Sequence, residues 1–306
     1  MMKFVRAVPM AICGLSLGLA APGNLLLPFG ANVRYICGIL SAIVLVVFAL
    51  KVFLDSPHAL SELKTPVPLS VLPTSTMALM LLCTYIRPFA GDVAMYLWYA
   101  AAITHVFIML LFFKRFLIGF KVGAVYPSWF IAFVGIVVVS VTAPAMNAHP
   151  IGQAAFYAGF ALYFVALALV LYKMSKRIFV LEPLQLTTAI FTAPMSLCIV
   201  GYFSSFQERN ETLVYAMPGI AIISYLYVTV KMLSTLLWKG FYPTYPAFTF
   251  PYVISALAFR LCNGFLVERG ITFFAPVAQI SMWIAVILVA YVFLHYIRFF
   301  RYVLSF

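Results

Sequence analysis

From about residue 8 to residue 297 the sequence is a succession of apolar runs, joined by connections of only a few residues. Each run is close to the roughly 20 residues that an α-helix needs to cross a bilayer. Hydropathy and loop punctuation place ten spans, at 8–27, 33–54, 68–86, 92–113, 127–144, 151–172, 184–205, 212–236, 244–267 and 271–297. The connections carry Pro, Gly, Asn or charge, as in Pro28-Phe29-Gly30, Asn147-Ala148-His149-Pro150 and Glu208-Arg209-Asn210-Glu211. With 66% hydrophobic and 8% charged residues and a mean hydropathy of +1.11, no separate soluble domain fits, so residues 1–306 read as a single all-α transmembrane domain. Met1–Arg6 and the apolar run behind them have the outline of a signal peptide. They lack a small-x-small cleavage site, and the run reads as the first span.

Cation placement sets the orientation. With ten spans the two termini share a side, and that side collects Lys3, Arg6, Lys51, Lys64, Lys114, Arg115, Lys121, Lys173, Lys176, Arg177, Lys239, Arg298 and Arg301. The opposite side has only Arg34, Arg87, Arg209 and Arg269, which places both termini in the cytoplasm. The net charge of +12 is thereby a matter of membrane orientation and not of nucleic-acid binding. Cys13, Cys37, Cys83, Cys198 and Cys262 are scattered singly, with no CxxC and no Cys/His cluster, so no metal site or disulfide framework is expected. No nucleophile–base pair or phosphate loop is visible either. No catalytic residue and no cofactor is expected, and the chain does not read as an enzyme.

A repeat runs through the spans. Pro9, Pro68, Pro127, Pro183 and Pro246 open the odd-numbered ones at spacings of 59, 59, 56 and 63 residues. A first-turn proline has no helical amide bond to lose. Five parallel helical hairpins follow, at about 8–54, 68–113, 127–172, 184–236 and 244–297, an arrangement that suits transport around an axis along the membrane normal. The odd spans also carry the hydroxyls, the small residues and the mid-span prolines: Gly14, Ser16 and Gly18; Pro73 to Thr76; Gly135, Ser140 and Thr142; Thr187 to Ser196 with Pro194; Thr249, Pro251 and Ser255. The even spans are mostly large aliphatics and aromatics. An inner ring of odd helices inside an outer ring of even ones is expected. Small residues alone also serve close helix packing, but that does not explain why hydroxyls and mid-span prolines share the same helices.

The ninth span concentrates these features. In Tyr245-Pro-Ala-Phe-Thr-Phe-Pro-Tyr252, Pro251 has no amide hydrogen and is expected to kink the helix. A freed backbone group at membrane depth needs cover from protein or a water-filled cavity. Phe250 precedes the kink, between Thr249 and Ser255. It reads either as a packing aromatic or as an apolar plug in a narrow path. Gly14, Pro73, Pro194, Pro251, Thr249 and Ser255 are the candidate lining or kink positions. Arg260 is the main intramembrane charge, suited to drawing anions to the outer mouth, to snorkelling, or to pairing with Glu268. Glu182 has either a helix N-terminal role or a functional one. His58, His105, His149 and His295 form no spaced set and read as loop or packing residues.

Short motifs in every odd span carry a resemblance. Val8-Pro-Met-Ala11 through Ala21, Leu72-Pro-Thr-Ser-Thr-Met77, Tyr126-Pro-Ser-Trp-Phe130, Leu181-Glu-Pro183 with Ala193-Pro194, and Ala247-Phe-Thr-Phe-Pro251 are similar, in order and spacing, to those of the tellurite-resistance/dicarboxylate transporter family. That family includes the slow-type anion channels of plant guard cells and the yeast malate permease. The resemblance implies five hairpins around a central pore, a homotrimer with one pore per subunit, and Phe250 at the position of the occluding phenylalanine. Pro246 departs from the large aromatic that the family often has before the alanine of the last motif. The implied function is an anion channel or channel-like uniporter of a bacterial inner membrane, with small inorganic or organic anions as its partners beside the lipid. A proton-coupled C4-dicarboxylate (malate) transporter and a tellurite-resistance permease are the alternatives. A carrier normally needs a titrating group near the midplane, which Glu182 and Arg260 do not supply.

Overall fold

The computed structural model describes residues 2–236 and 240–305, so Lys239 of the cation count lies outside the described residues. The described chain is helical, with no strand. Eight helical stretches are long and apolar enough to cross a membrane: Ala31–Leu54, Pro66–Ala90, Asp92–Phe116, His149–Ser175, Glu182–Ser205, Glu211–Ser234, Tyr245–Val267 and Ala275–Val303. The first and fifth expected spans are different. They are apolar but broken into shorter pieces, Ile12–Ala20 and Pro22–Leu25 in one case, Trp129–Val134, Val137–Thr142 and Ala143–Met146 in the other.

The breaks have local causes. Pro22 and Pro144 each open a new piece, where the missing amide hydrogen ends the preceding ladder at no further loss. At Gly135, between two pieces of the fifth span, a Cβ would lie 2.4 Å from the Ile131 carbonyl oxygen and 3.1 Å from the His105 ring, so only glycine permits this turn.

Burial separates the odd segments from the even. The apolar stretches of the third, seventh and ninth are 67%, 89% and 61% buried, whereas those of the even ones are between 22% and 33%. All nine residues of Ile12–Ala20 are buried, as are five of the six of Val137–Thr142. Packing neighbours close the set on itself: the first segment packs on the third, the third on the fifth, the fifth on the seventh, the seventh on the ninth, and the ninth on the first. Each even helix lies against the odd segment before it and the one after it, and Ala275–Leu304 returns to Ile12–Ala20. Exposed Ile39, Phe107, Ile223 and Ile287 cover the outside of the even helices, the surface that lipid requires.

The prolines in mid-segment stand where one helical piece meets the next. Pro73 opens Pro73–Ala90, Pro194 is second in Ala193–Ser205, and Pro251 is second in Phe250–Val267. The expected kink at Pro251 is therefore a full interruption. A 3-10 turn, Tyr245–Phe248, ends at Thr249, whose φ of −91° and ψ of −89° belong to no helix, and the α-helix begins afresh at Phe250. The seventh segment is interrupted by a seven-residue 3-10 stretch, Leu186–Thr192, longer than such stretches usually run.

Candidate functional site

Inside the odd segments lies a cavity of about 200 Å³, with lining residues from all five. Its wall includes Met10 and Gly14, Val71 and Thr74, Phe130 and Gly135, Thr187 and Pro194, and Pro246, Ala247, Phe250 and Pro251. A second pocket of about 10 Å³, roughly one water, lies beyond it and is lined by Ala21, Asn24, Leu81, Val138, Val141, Val253, Ile254 and Leu257 among others. Among the described residues only Leu197 and Phe250 line both spaces, and Phe250, 7% exposed, is buried at the waist between them.

The break in the ninth segment is what puts the ring there. Phe250 is the first residue of its helix, held between the interruption at Thr249 and the proline behind it. Gly18 makes room for this, since a Cβ on Gly18 would meet the Thr249 side chain. Gly14 does the same one turn earlier, where a Cβ would stand 3.2 Å from Cβ of Pro246.

The wall is chemically sparse. Among the described lining residues one is charged, Glu62, and no cation takes part. Three helices begin at or beside this wall: Ala193–Ser205 and Phe250–Val267 begin at residues that line the cavity, and Pro73–Ala90 begins one residue before Thr74, which also lines it. The N-terminus of an α-helix carries roughly half a positive charge. The starts at Pro73 and Ala193 follow directly on helical turns, with Leu72 and Thr192 in the helical region, whereas the start at Phe250 follows the non-helical Thr249.

Hydroxyls of the odd segments bond back to their own backbone. Thr74 donates to the Val71 carbonyl at 2.8 Å, Thr187 to Leu184 at 2.6 Å and Thr249 to Pro246 at 2.7 Å. Ser255 lies 2.8 Å from the carbonyls of both Thr192 and Pro251, and 3.1 Å from the Ser196 hydroxyl. Thr74 and Thr187 line the cavity as well. Thr249 and Ser255 are buried and stand behind its surface, at the break and at the contact with the seventh segment. Gly14, Pro194 and Pro251 are on the lining, and Pro73 is next to it.

The two candidate charges lie elsewhere. Arg260, half-buried, donates to the carbonyls of Leu25 and Asn24, the latter at 3.3 Å, and so caps the C-terminal end of Pro22–Leu25. Such carbonyls have no intrahelical partner. Glu268 is not among its described partners. Glu182 is exposed in the first turn of Glu182–Gln185, away from the cavity. Two cations counted for orientation also have structural work: Lys51 is fully buried, and Lys173 donates to the carbonyls of Gly123 and Val125 while sitting 3.7 Å over the Tyr126 ring.

Sequence reasoning overlooked Glu62 and Leu197. Leu197 carries no signal that distinguishes it from any core leucine. Glu62 had one, since a carboxylate six residues before Pro68, the opening proline of an inner span, stands where a cytoplasmic connection meets the pathway.

The family model described as "Voltage-dependent anion channel" matches residues 5–297 of this chain. No curated protein matches it significantly.

Proposed function

The chain belongs to the voltage-dependent anion channel family, and from this we propose that its central cavity is an anion pathway which Phe250 holds shut. Membership in the family makes the protein a channel or transporter for anions. The finer reading is an anion channel or channel-like uniporter built of ten membrane segments in five hairpins, two of those segments being the short, broken ones. The observation that carries it is the position of Phe250, which with Leu197 separates the 200 Å³ cavity from the small pocket beyond.

The physics of conduction supports the assignment. An ion must be bound well enough to enter and weakly enough to leave. The helix start at Phe250 and an apolar wall supply weak, cation-free attraction, and a phenyl ring at the waist keeps the narrowest point dry. Small monovalent anions fit this better than dicarboxylates, for which two fixed positive groups would be expected. The cation distribution supports cytoplasmic termini, and the family resemblance supports an inner-membrane trimer with one pathway per subunit. The test is current across planar bilayers containing the purified protein. Phe250→Ala raises chloride conductance strongly over the parent, and equal conductance in the two would remove the gate.

A further inference from the structure

Among the described residues the cavity's only charged lining residue is negative, in a pathway read as one for anions. Glu62 ends the short helix Ser56–Glu62 and lines the same end of the cavity as Pro9, Pro68 and Pro243. Its side chain is 26% exposed. The chain termini lie at this end: Lys51 reaches the Arg6 carbonyl at 3.3 Å, and Phe4 packs on Phe300 with ring centroids 5.1 Å apart.

The charges at this mouth are unevenly shared. The buried ammonium of Lys51 serves two carboxylates, Asp55 at 2.9 Å and Glu62 at 3.6 Å. Asp55 is the closer and does not line the cavity. The imidazole of His58, largely exposed, is 3.5 Å from Glu62 on its other side. Arg6 acts on Asp55 as well, so the cations gather on Asp55, and the carboxylate farther from the ammonium, Glu62, is the one at the opening.

Resting on the channel reading above, we infer that Glu62 is an electrostatic brake on anions entering from the terminus-bearing side. A fixed negative charge at a mouth lowers the local anion concentration there, and by reciprocity it leaves entry from the opposite mouth less affected. The pathway then passes anions unequally in its two directions, and Glu62 sets the ratio.

The test uses the full-length protein with the gate removed. Phe250→Ala is compared with Phe250→Ala/Glu62→Gln in planar bilayers at 0.01 M and 1 M chloride. In water a unit charge about 7 Å from an ion changes its local concentration about threefold, and Glu62→Gln raises low-salt chloride conductance by about that factor. At 1 M, where the screening length falls to about 3 Å, the two are equal. The rise is larger for chloride entering from the Glu62 side. A second arm avoids dependence on the folding of one variant. Glu62→Cys in the same background is treated, after reconstitution, with a sulfonate-bearing and then a trimethylammonium-bearing thiosulfonate, with Phe250→Ala alone as the control for the native cysteines. The negative reagent lowers low-salt current and the positive one raises it. Unchanged low-salt current on Glu62→Gln, or shifts in the same direction with both reagents, overturns the inference and marks Glu62 as a partner of Lys51 only. Failure of Phe250→Ala to conduct at all is a separate result, against the channel reading itself.

Discussion

A Cβ on Gly18 would lie 2.0 Å from Oγ1 of Thr249 and 2.4 Å from its Cβ. The first inner segment thus touches the ninth at the one residue where the ninth is not helical. Thr249 cannot easily swing away, because its hydroxyl holds the Pro246 carbonyl at 2.7 Å. Gly18→Ala must displace the backbone next to Phe250. The expected cost is about 1–3 kcal/mol, the range for overpacked cores, read as a lower midpoint of thermal unfolding in detergent. Basal conductance changes with it, because the ring is one residue away. A Gly18→Ala protein with unaltered stability would show that the contact is slack.

For Phe250 the two readings of the residue give opposite dominant effects. As a plug, Phe250→Ala widens and wets the waist and raises conductance strongly, while Phe250→Leu, which keeps much of the volume, raises it less. As a packing residue, Phe250→Ala leaves a cavity costing about 3–5 kcal/mol by soluble-protein figures, with no gain in current. Since Leu197 shares the waist, Leu197→Ala is expected to raise conductance modestly and to add to the effect of Phe250→Leu.

Arg260 is expected to matter for stability. Its guanidinium satisfies the carbonyls of Asn24 and Leu25, and a buried acceptor left without a donor costs about 1–3 kcal/mol. Arg260→Met therefore lowers the unfolding midpoint. In the Phe250→Ala background it leaves low-salt chloride conductance unchanged. A selective loss of low-salt current with unaltered stability would restore Arg260 as an attractor of anions at the outer mouth.

Asp55 gives a pH dependence with a definite sign. The Lys51 ammonium, hydrogen-bonded to Asp55, holds its carboxyl below the usual carboxylate range. A carboxyl whose folded-state pKa is depressed contributes stability that is fully present above its unfolded value, about 3.9. That stability is lost as pH falls through the lower folded value. Unfolding midpoints of the parent should therefore be insensitive to this group from neutral pH down to about 5 and fall below about 4. Asp55→Asn flattens the acid limb and lowers the neutral plateau. An acid limb of the same depth in the variant would assign the effect to other carboxylates.

What could be read from the residues was whatever a single segment specifies by itself. Proline spacing marked the inner segments, and hydropathy with the cation distribution marked the membrane class. The motif Ala247-Phe-Thr-Phe-Pro251 brought Phe250 forward. What could not be read depended on contacts between distant positions. The interruption at Thr249 needs Gly18, and the partners of Arg260 lie 235 and 236 residues away in the chain. Proline at membrane depth suggests a kink in the third, seventh and ninth segments; at Pro251 the fold goes further, with a non-helical Thr249 before a first-turn proline. Hydroxyls were read as lining because they are polar; Thr74 and Thr187 do line the cavity, while Thr249 and Ser255 stand behind it, bonded to backbone carbonyls.

That last feature bears on how the protein is made. The hydrogen bonds of Thr74, Thr187 and Thr249 all run to the carbonyl three residues earlier in the same segment. None needs a neighbouring helix. Each of these hydroxyls can therefore leave the insertion machinery and enter lipid already bonded within its own segment, before the other segments have been synthesised.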